Sequence, residues 1–257
     1  MSSSSKNTPT TNRREALRRQ QDAQARAARR TGVAIKAAWA TGIAVIAVMI
    51  GVMVWAIVQP GSAGVASGTL VAPAGATDNG AVVIGKADAK VTVEIYSDFM
   101  CPYCGEFERA NGADLAAAVD AGTAKLEIHP MAFLDAQSAG TKYSTRSANA
   151  FVAIADTDPS LAWAFDRVLY ANQPAEGSAG LTDAQLVAYA QQVGVPASVT
   201  DTFAKQAFVP WVQKITNQAF DSGVTGTPTV KINGQVFGGD LYSTGPLAAA
   251  IKQAAGV

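Results

Sequence analysis

The chain has 257 residues, with 20 basic and 20 acidic side chains, two cysteines and one histidine. Those counts exclude a closed Cys/His zinc site, which needs four ligands, and a scaffold stapled by several disulfides. The zero formal charge hides an asymmetry: residues 1–36 hold nine basic residues against two acidic, a net of +7, so the remainder carries −7. A basic leader on an acidic body signals topology rather than a nucleic-acid partner.

Residues 1–11 are rich in Ser, Thr and Asn, a composition that predicts disorder. Residues 12–30 have helix-forming composition without an apolar stripe, as in a solvated juxtamembrane segment. Residues 37–58 then run for 22 positions without a charge, and about 20 apolar residues span a bilayer. Trp39 and Trp55 stand near the two ends, where aromatic rings suit the interface. The arginines and lysines on the N-terminal side predict a cytoplasmic N-terminus and a single-pass anchor in the cell membrane. A cleaved signal peptide competes, with small residues following at 61–64, but the long basic region and long apolar core favour an uncleaved anchor. Residues 59–81, rich in Gly, Ala, Ser and Pro, read as a flexible tether. The body, residues 82–257, is then expected outside the cytoplasm, where disulfides form and persist.

Within that body the two cysteines stand as Cys101-Pro102-Tyr103-Cys104. Residues 91–97, β-branched and aromatic, predict a strand, and residues 105–119 predict a helix. Cys101 then falls at the helix N-terminus, with Pro102 in the first turn, where a missing N–H costs nothing. The helix dipole and free N–H groups favour a thiolate there. Cys104, one turn on, can resolve a mixed disulfide. Glu106 and Glu108 in the first turns favour the helix but oppose a nearby anion. A copper(I) site from two thiolates competes with the redox reading. So does an inert pair, although so short a loop constrains the unfolded chain little.

Residues 124–130 alternate as a second strand, which completes a strand–helix–strand unit with parallel strands. Residues 136–221 read as a helical block, with helices at 143–155, 160–170, 183–193, 198–203 and 208–220, and with Asp158 and Thr182 as caps. Asn233-Gly234 between apolar runs marks a hairpin. A helix over 246–255, capped by Ser243 or Thr244, closes the chain.

Three stretches carry a family resemblance: Ser97 to Cys104, the helical block, and Gly223-Val224-Thr225-Gly226-Thr227-Pro228-Thr229 leading into the hairpin. The body resembles a DsbA-like thiol–disulfide oxidoreductase: an α/β, thioredoxin-like fold with an inserted α-helical domain, here preceded by a single N-terminal transmembrane helix. The resemblance implies a cis Thr227–Pro228 bond facing the cysteines. It also implies that Thr227 and Pro228 bind substrate, with Cys101 and Cys104 catalytic; Tyr103, between the cysteines, is expected to bind substrate with them. It implies no cofactor beyond the redox-active disulfide. Its partners would be thiols of unfolded or partly folded secreted proteins and a membrane-embedded, quinone-coupled reoxidant.

Two departures bear on direction. The strongest oxidants of the family have histidine where Tyr103 stands, so a higher Cys101 pKa and a weaker oxidant are expected; Pro-Tyr is also the glutaredoxin dipeptide. Many relatives carry a glutamate six residues before the first cysteine, where this chain has Ile95. Glu94 and Asp98 are the neighbouring carboxylates, and each reads as solvated or structural. His129 and the aromatics of the helical block (Phe151, Trp163, Phe165, Tyr170, Phe203, Phe208, Trp211) read as core. Met100 and Tyr103, beside the cysteines, are expected on an apolar docking surface.

Overall fold

The computed structural model describes residues 69–256. The basic tail, the apolar run 37–58 and residues 59–68 lie outside the described residues. Among those described, no helix is long and apolar enough to cross a membrane. Ordered contacts begin ahead of Val82: the Ala74 N–H donates to Asp156 Oδ1 at 2.7 Å, and Ala81 is fully buried. Gly80, at φ +86°, lies against Ile215, which a side chain there would strike.

Five strands form one sheet in the order β1-β3-β2-β4-β5. They are β1 (Val82–Ile84), β2 (Val91–Ser97), β3 (Ala124–Pro130), β4 (Thr229–Ile232) and β5 (Gln235–Val236). β2 is central. It runs parallel to β3 in a register that sets Ser97 beside Pro130, and antiparallel to β4 with Tyr96 beside Thr229. Being covered on both faces, it reads as a nearly continuous apolar run rather than an alternation. β1 pairs antiparallel with β3; its three residues, VVI, are too short to stand out from sequence periodicity. At the β4–β5 turn both Asn233 (φ +49°) and Gly234 (φ +81°) take the left-handed conformation that this hairpin turn requires.

Helix α1 (Pro102–Asp120) links β2 to β3. The insertion follows as α2 (Tyr143–Ala155), α3 (Pro159–Ala171), α4 (Asp183–Gln192), the short α5 (Ala197–Thr200) and α6 (Val209–Asp221), with single 3₁₀ turns at Asp135–Gln137 and Phe203–Lys205. The caps fall where expected. The Asp158 side chain accepts from the N–H groups of Ser160 and Leu161, and Thr182 forms a reciprocal capping box with Gln185. The last helix, α7 (Pro246–Ala255), corrects the sequence reading. Its cap is Gly245 at φ +108°, not Ser243 or Thr244, because the Ser243 hydroxyl is drawn back to Asp240 Oδ2 at 2.5 Å.

One apolar core joins the sheet to the insertion. Phe99, just after β2, packs against Phe151 of α2 and Tyr170 of α3, with ring centroids 6.0 and 5.3 Å away. Six of the seven insertion aromatics are buried; Trp163 packs on the core from a half-buried position.

Candidate active site

Cys101 is the N-cap of α1, in extended conformation, with Pro102 in the first turn. Its carbonyl accepts from the N–H of Cys104 at 3.1 Å and of Gly105 at 3.4 Å. The two cysteines are free thiols, and both are buried. The Cys101 Sγ donates to the carbonyl of Thr227 at 3.3 Å, and the Thr227–Pro228 bond is cis. The loop before β4 therefore faces the helix start, and Thr227 and Pro228 come together with the cysteines across 126 residues of chain. The Thr227 hydroxyl is buried and has no hydrogen-bond partner among the described residues.

The two thiols are unlike. The Cys101 pKa is lowered from 9.0 to about 6, chiefly by the hydrogen bond from Cys104 and against the pull of burial; Thr227 and the N–H groups of Cys104 and Tyr103 add to it. Burial pushes Cys104 the other way, well above the ordinary thiol value, and the neighbouring Cys101 adds to the rise. Alkylation of the reduced protein by iodoacetamide, followed by mass spectrometry, is expected to titrate with a midpoint near pH 6 at Cys101. Cys104 should stay unmodified across that range. Since the folded pKa lies below the unfolded one, this group stabilises the reduced fold fully above about pH 9. That contribution is lost as pH falls through about 6.

Two side chains hold the loop that leads into Cys101. Asp98 is fully buried, and its carboxylate accepts from the N–H groups of Met100, Phe133 and Leu134 and from the Ser144 hydroxyl, at 2.7–3.1 Å. Burial still raises its pKa to about 6 against the pull of those four bonds. Its role is structural. Gln173, just past α3, donates from Nε2 to the carbonyls of Phe99 (3.1 Å) and Cys101 (2.7 Å). Gly105 makes room for it, because a Cβ there would collide with Oε1 of Gln173.

The remaining residues singled out in the sequence sort by exposure. Tyr103 is 57% exposed, while Met100 is fully buried, so Met100 leaves the expected docking surface. The exposed ring beside Tyr103 is instead that of Tyr242, 48% exposed, with its centroid 5.9 Å from that of Tyr103. Tyr242 sits 139 positions along the chain from Tyr103, in a glycine-rich loop without periodicity, so no sequence signal marks it. Glu94 is buried and pairs with Lys231 (3.9 Å) and the Tyr96 hydroxyl (3.2 Å). His129 stacks on Tyr96 with centroids 4.0 Å apart. Burial, then Lys231, lowers its pKa to about 3, so it stays neutral. Among the described residues no group of three or more His, Cys, Asp or Glu side chains could hold a metal ion.

A nucleophilic thiol at a helix N-cap, a buried thiol one turn on, and a cis X–Pro loop facing them define a dithiol redox protein on a thioredoxin-like fold. The thioredoxin family model matches residues 77–252, and the chain belongs to that family, with the fold of its DsbA-like thiol–disulfide oxidoreductases. Reduced disulfide bond oxidoreductase DsbG of Mycobacterium tuberculosis is 29% identical; the match covers 71% of this chain and 90% of that one, with a TM-score of 0.61. Oxidised DsbA of the same organism is 30% identical over 69% of this chain and 93% of that one, with a TM-score of 0.60. A curated relative, the serine/threonine-protein kinase PknE of M. tuberculosis, is 32% identical over 160 residues, 59% of this chain. The chain spans about 28% of the length of that kinase.

Proposed function

We propose that the chain is a membrane-anchored, extracytoplasmic thiol–disulfide oxidoreductase that oxidises cysteine pairs of secreted proteins. The observation that carries this reading is the arrangement of the sulfurs: Cys101 at the N-cap of α1 with its Sγ against the Thr227 carbonyl before the cis Pro228, and Cys104 buried one turn on, which lowers the first thiol to about 6 and pushes the second well up. The lower thiol is the better leaving group and stabilises the reduced form; the upper one stays protonated until it is needed. The relatives named as disulfide oxidoreductases support the chemistry. The anchor and the location rest on the basic tail and the uncharged run 37–58.

In the oxidising cycle a substrate thiolate attacks Cys101 Sγ and Cys104 leaves as a thiolate. A second substrate thiolate then attacks the substrate sulfur of the mixed disulfide. Cys101 departs as a thiolate, the substrate gains its disulfide, and the enzyme becomes a dithiol. The half-buried Thr227–Pro228 segment and the ring of Tyr103 hold the extended substrate beside the sulfurs. A membrane-embedded, quinone-coupled partner closes the disulfide again. No cofactor beyond that disulfide is assigned, and no nucleic-acid partner.

The test is the reduction potential of the full-length protein against glutathione buffers. At pH 7, about one unit above the folded Cys101 value, the stabilised thiolate contributes roughly 1.4 kcal/mol, or about 30 mV for a two-electron couple. The potential is expected above thioredoxin's value of about −270 mV, yet short of the roughly −120 mV of the strongest oxidants, since no histidine separates these cysteines. A value at or below about −270 mV would overturn disulfide donation and favour an extracytoplasmic reductase.

A further inference from the structure

The reaction leaves one need unmet. Cys104 is 1% exposed, and when the disulfide is attacked it departs as a thiolate shut off from bulk solvent. Its proton has to come from inside the protein. Behind Cys104 lies a small internal cavity whose space open to the centre of a water is about 10 Å³, about what a single water needs. Ile95 lines it on the sheet side, while Glu108 of α1 and Asp166 and Tyr170 of α3 line it on the helical side. The Tyr170 hydroxyl is buried and has no hydrogen-bond partner among the described residues. An open surface groove runs along the outside of the same two helices, past Arg109 and Arg167, and Glu108 and Tyr170 line it as well as the cavity. Glu108 thus joins the cavity to the groove. A Cβ at Gly112 would collide with the Glu108 carboxylate, so a glycine in mid-helix, usually worth about 1 kcal/mol against alanine, leaves that side chain its place.

We propose that Asp166, linked through Tyr170 and recharged through Glu108, is the acid that protonates Cys104 as it leaves the disulfide. The inference rests on the disulfide-exchange reading above. The step balances. The substrate thiolate forms an S–S bond to Cys101, the Cys101–Cys104 bond breaks, and its electron pair stays on Cys104 Sγ. The carboxyl proton of Asp166 crosses by way of the Tyr170 hydroxyl, giving a Cys104 thiol and an Asp166 carboxylate. Glu108 then returns a proton from the groove. The charged groups around this path fit the role. Burial first, then Glu108, holds the Asp166 proton on, and Arg167 opposes them. Burial raises Glu108 to about 7 while Arg167, at 3.4 Å, pulls it down. Burial first, then Cys104, Asp166 and Asp98, disfavours ionisation of Tyr170 against the pull of Ser97, so the hydroxyl passes a proton without losing one. The Asp98 carboxylate is turned to its own four donors.

The test uses the oxidised full-length protein, reduced in a single turnover by a cysteine-containing peptide, with each rate divided by the peptide's thiolate concentration. In the wild type this corrected rate is expected to fall as pH rises and the acid ionises. Asp166→Asn, close in shape, should give a pH-independent rate about 100-fold lower at pH 7. Glu108→Gln should move the fall to lower pH, because it removes the negative charge that holds the Asp166 proton. Tyr170→Phe should lower the rate without moving the profile. Wild-type rate and profile in Asp166→Asn would overturn the proposal. So would a loss that keeps the wild-type pH profile, which marks a packing defect. A wild type that is not reduced by thiols at all would overturn the exchange reading itself.

Discussion

Replacing Cys101 by serine is expected to abolish thiol–disulfide exchange, leaving no turnover of a reduced, unfolded substrate in a free-thiol assay. The sulfur is the attacked atom, and no second cysteine besides Cys104 exists in the chain. Cys104, 1% exposed, cannot take its place. Cys104→Ala should behave differently. It keeps the Cys101 nucleophile but loses both the resolving thiol and the hydrogen bond that lowers the Cys101 pKa most. That variant should accumulate mixed disulfides with substrate, visible as a mass shift that reductant reverses, and its alkylation midpoint should rise above pH 6. Full exchange activity in Cys101→Ser would remove the site assigned to the chemistry. A peptide-holding activity that survives in Cys101→Ser, without exchange in the wild type, would make the protein a binding module instead.

The second large effect concerns stability. Asp98→Ala is expected to cost about 3–5 kcal/mol in urea unfolding of the reduced protein. The carboxylate satisfies three backbone N–H groups and one hydroxyl at a fully buried position, and each buried donor left without a partner costs roughly 1–3 kcal/mol. Relaxation and incoming water recover part of that sum, which keeps the expected figure below the simple total. The variant should also lose some of its Cys101 reactivity, because Met100 and the turn that delivers Cys101 hang on the same carboxylate: the Cys101 N–H donates to the Asp98 carbonyl at 3.0 Å. A loss within about 0.5 kcal/mol, as for an ordinary surface change, would mean that the loop is held by other contacts.

Local chemistry was legible in the sequence wherever the signal was local. β2, β3, α2 and α7 run over the residues that composition and punctuation mark, and the hairpin turns at Asn233-Gly234, because β-branched runs, caps and turn dipeptides act over a few positions. The cysteine pair was readable for the same reason, being a short motif whose chemistry is carried by its own residues, whereas Thr227–Pro228 was readable only through the family resemblance. What escaped was everything that depends on distance along the chain. Gln173 reaches a carbonyl 72 positions back, and Asp98 reaches Ser144 across 46. Asp98 read as solvated or structural without a choice between the two, because its donors are mostly backbone N–H groups, which leave no trace in side-chain identity. Asp166 sits amid a helix of apolar periodicity and reads there as one more polar residue on an amphipathic face. Met100 and Tyr103 flank Cys101 closely in sequence, yet the turn held by Asp98 sends one into the core and the other to the rim.

The grip of Gln173 and Asp98 on the cysteine loop has a mechanical consequence. Both residues tie the insertion, or the loop leading to it, to the segment that presents Cys101. A hinge that swung the insertion away to admit a bulky chain would pull on the Phe99 and Cys101 carbonyls and detune the thiol in the same motion. On the proposed reading, clients of different size would therefore be met without a jaw, at the open rim around Tyr103 and Tyr242. Substitutions among the rim side chains would then alter which clients dock while leaving the sulfur's surroundings unchanged. The clamp beneath them has no such freedom, because any change there is felt at once by the sulfur.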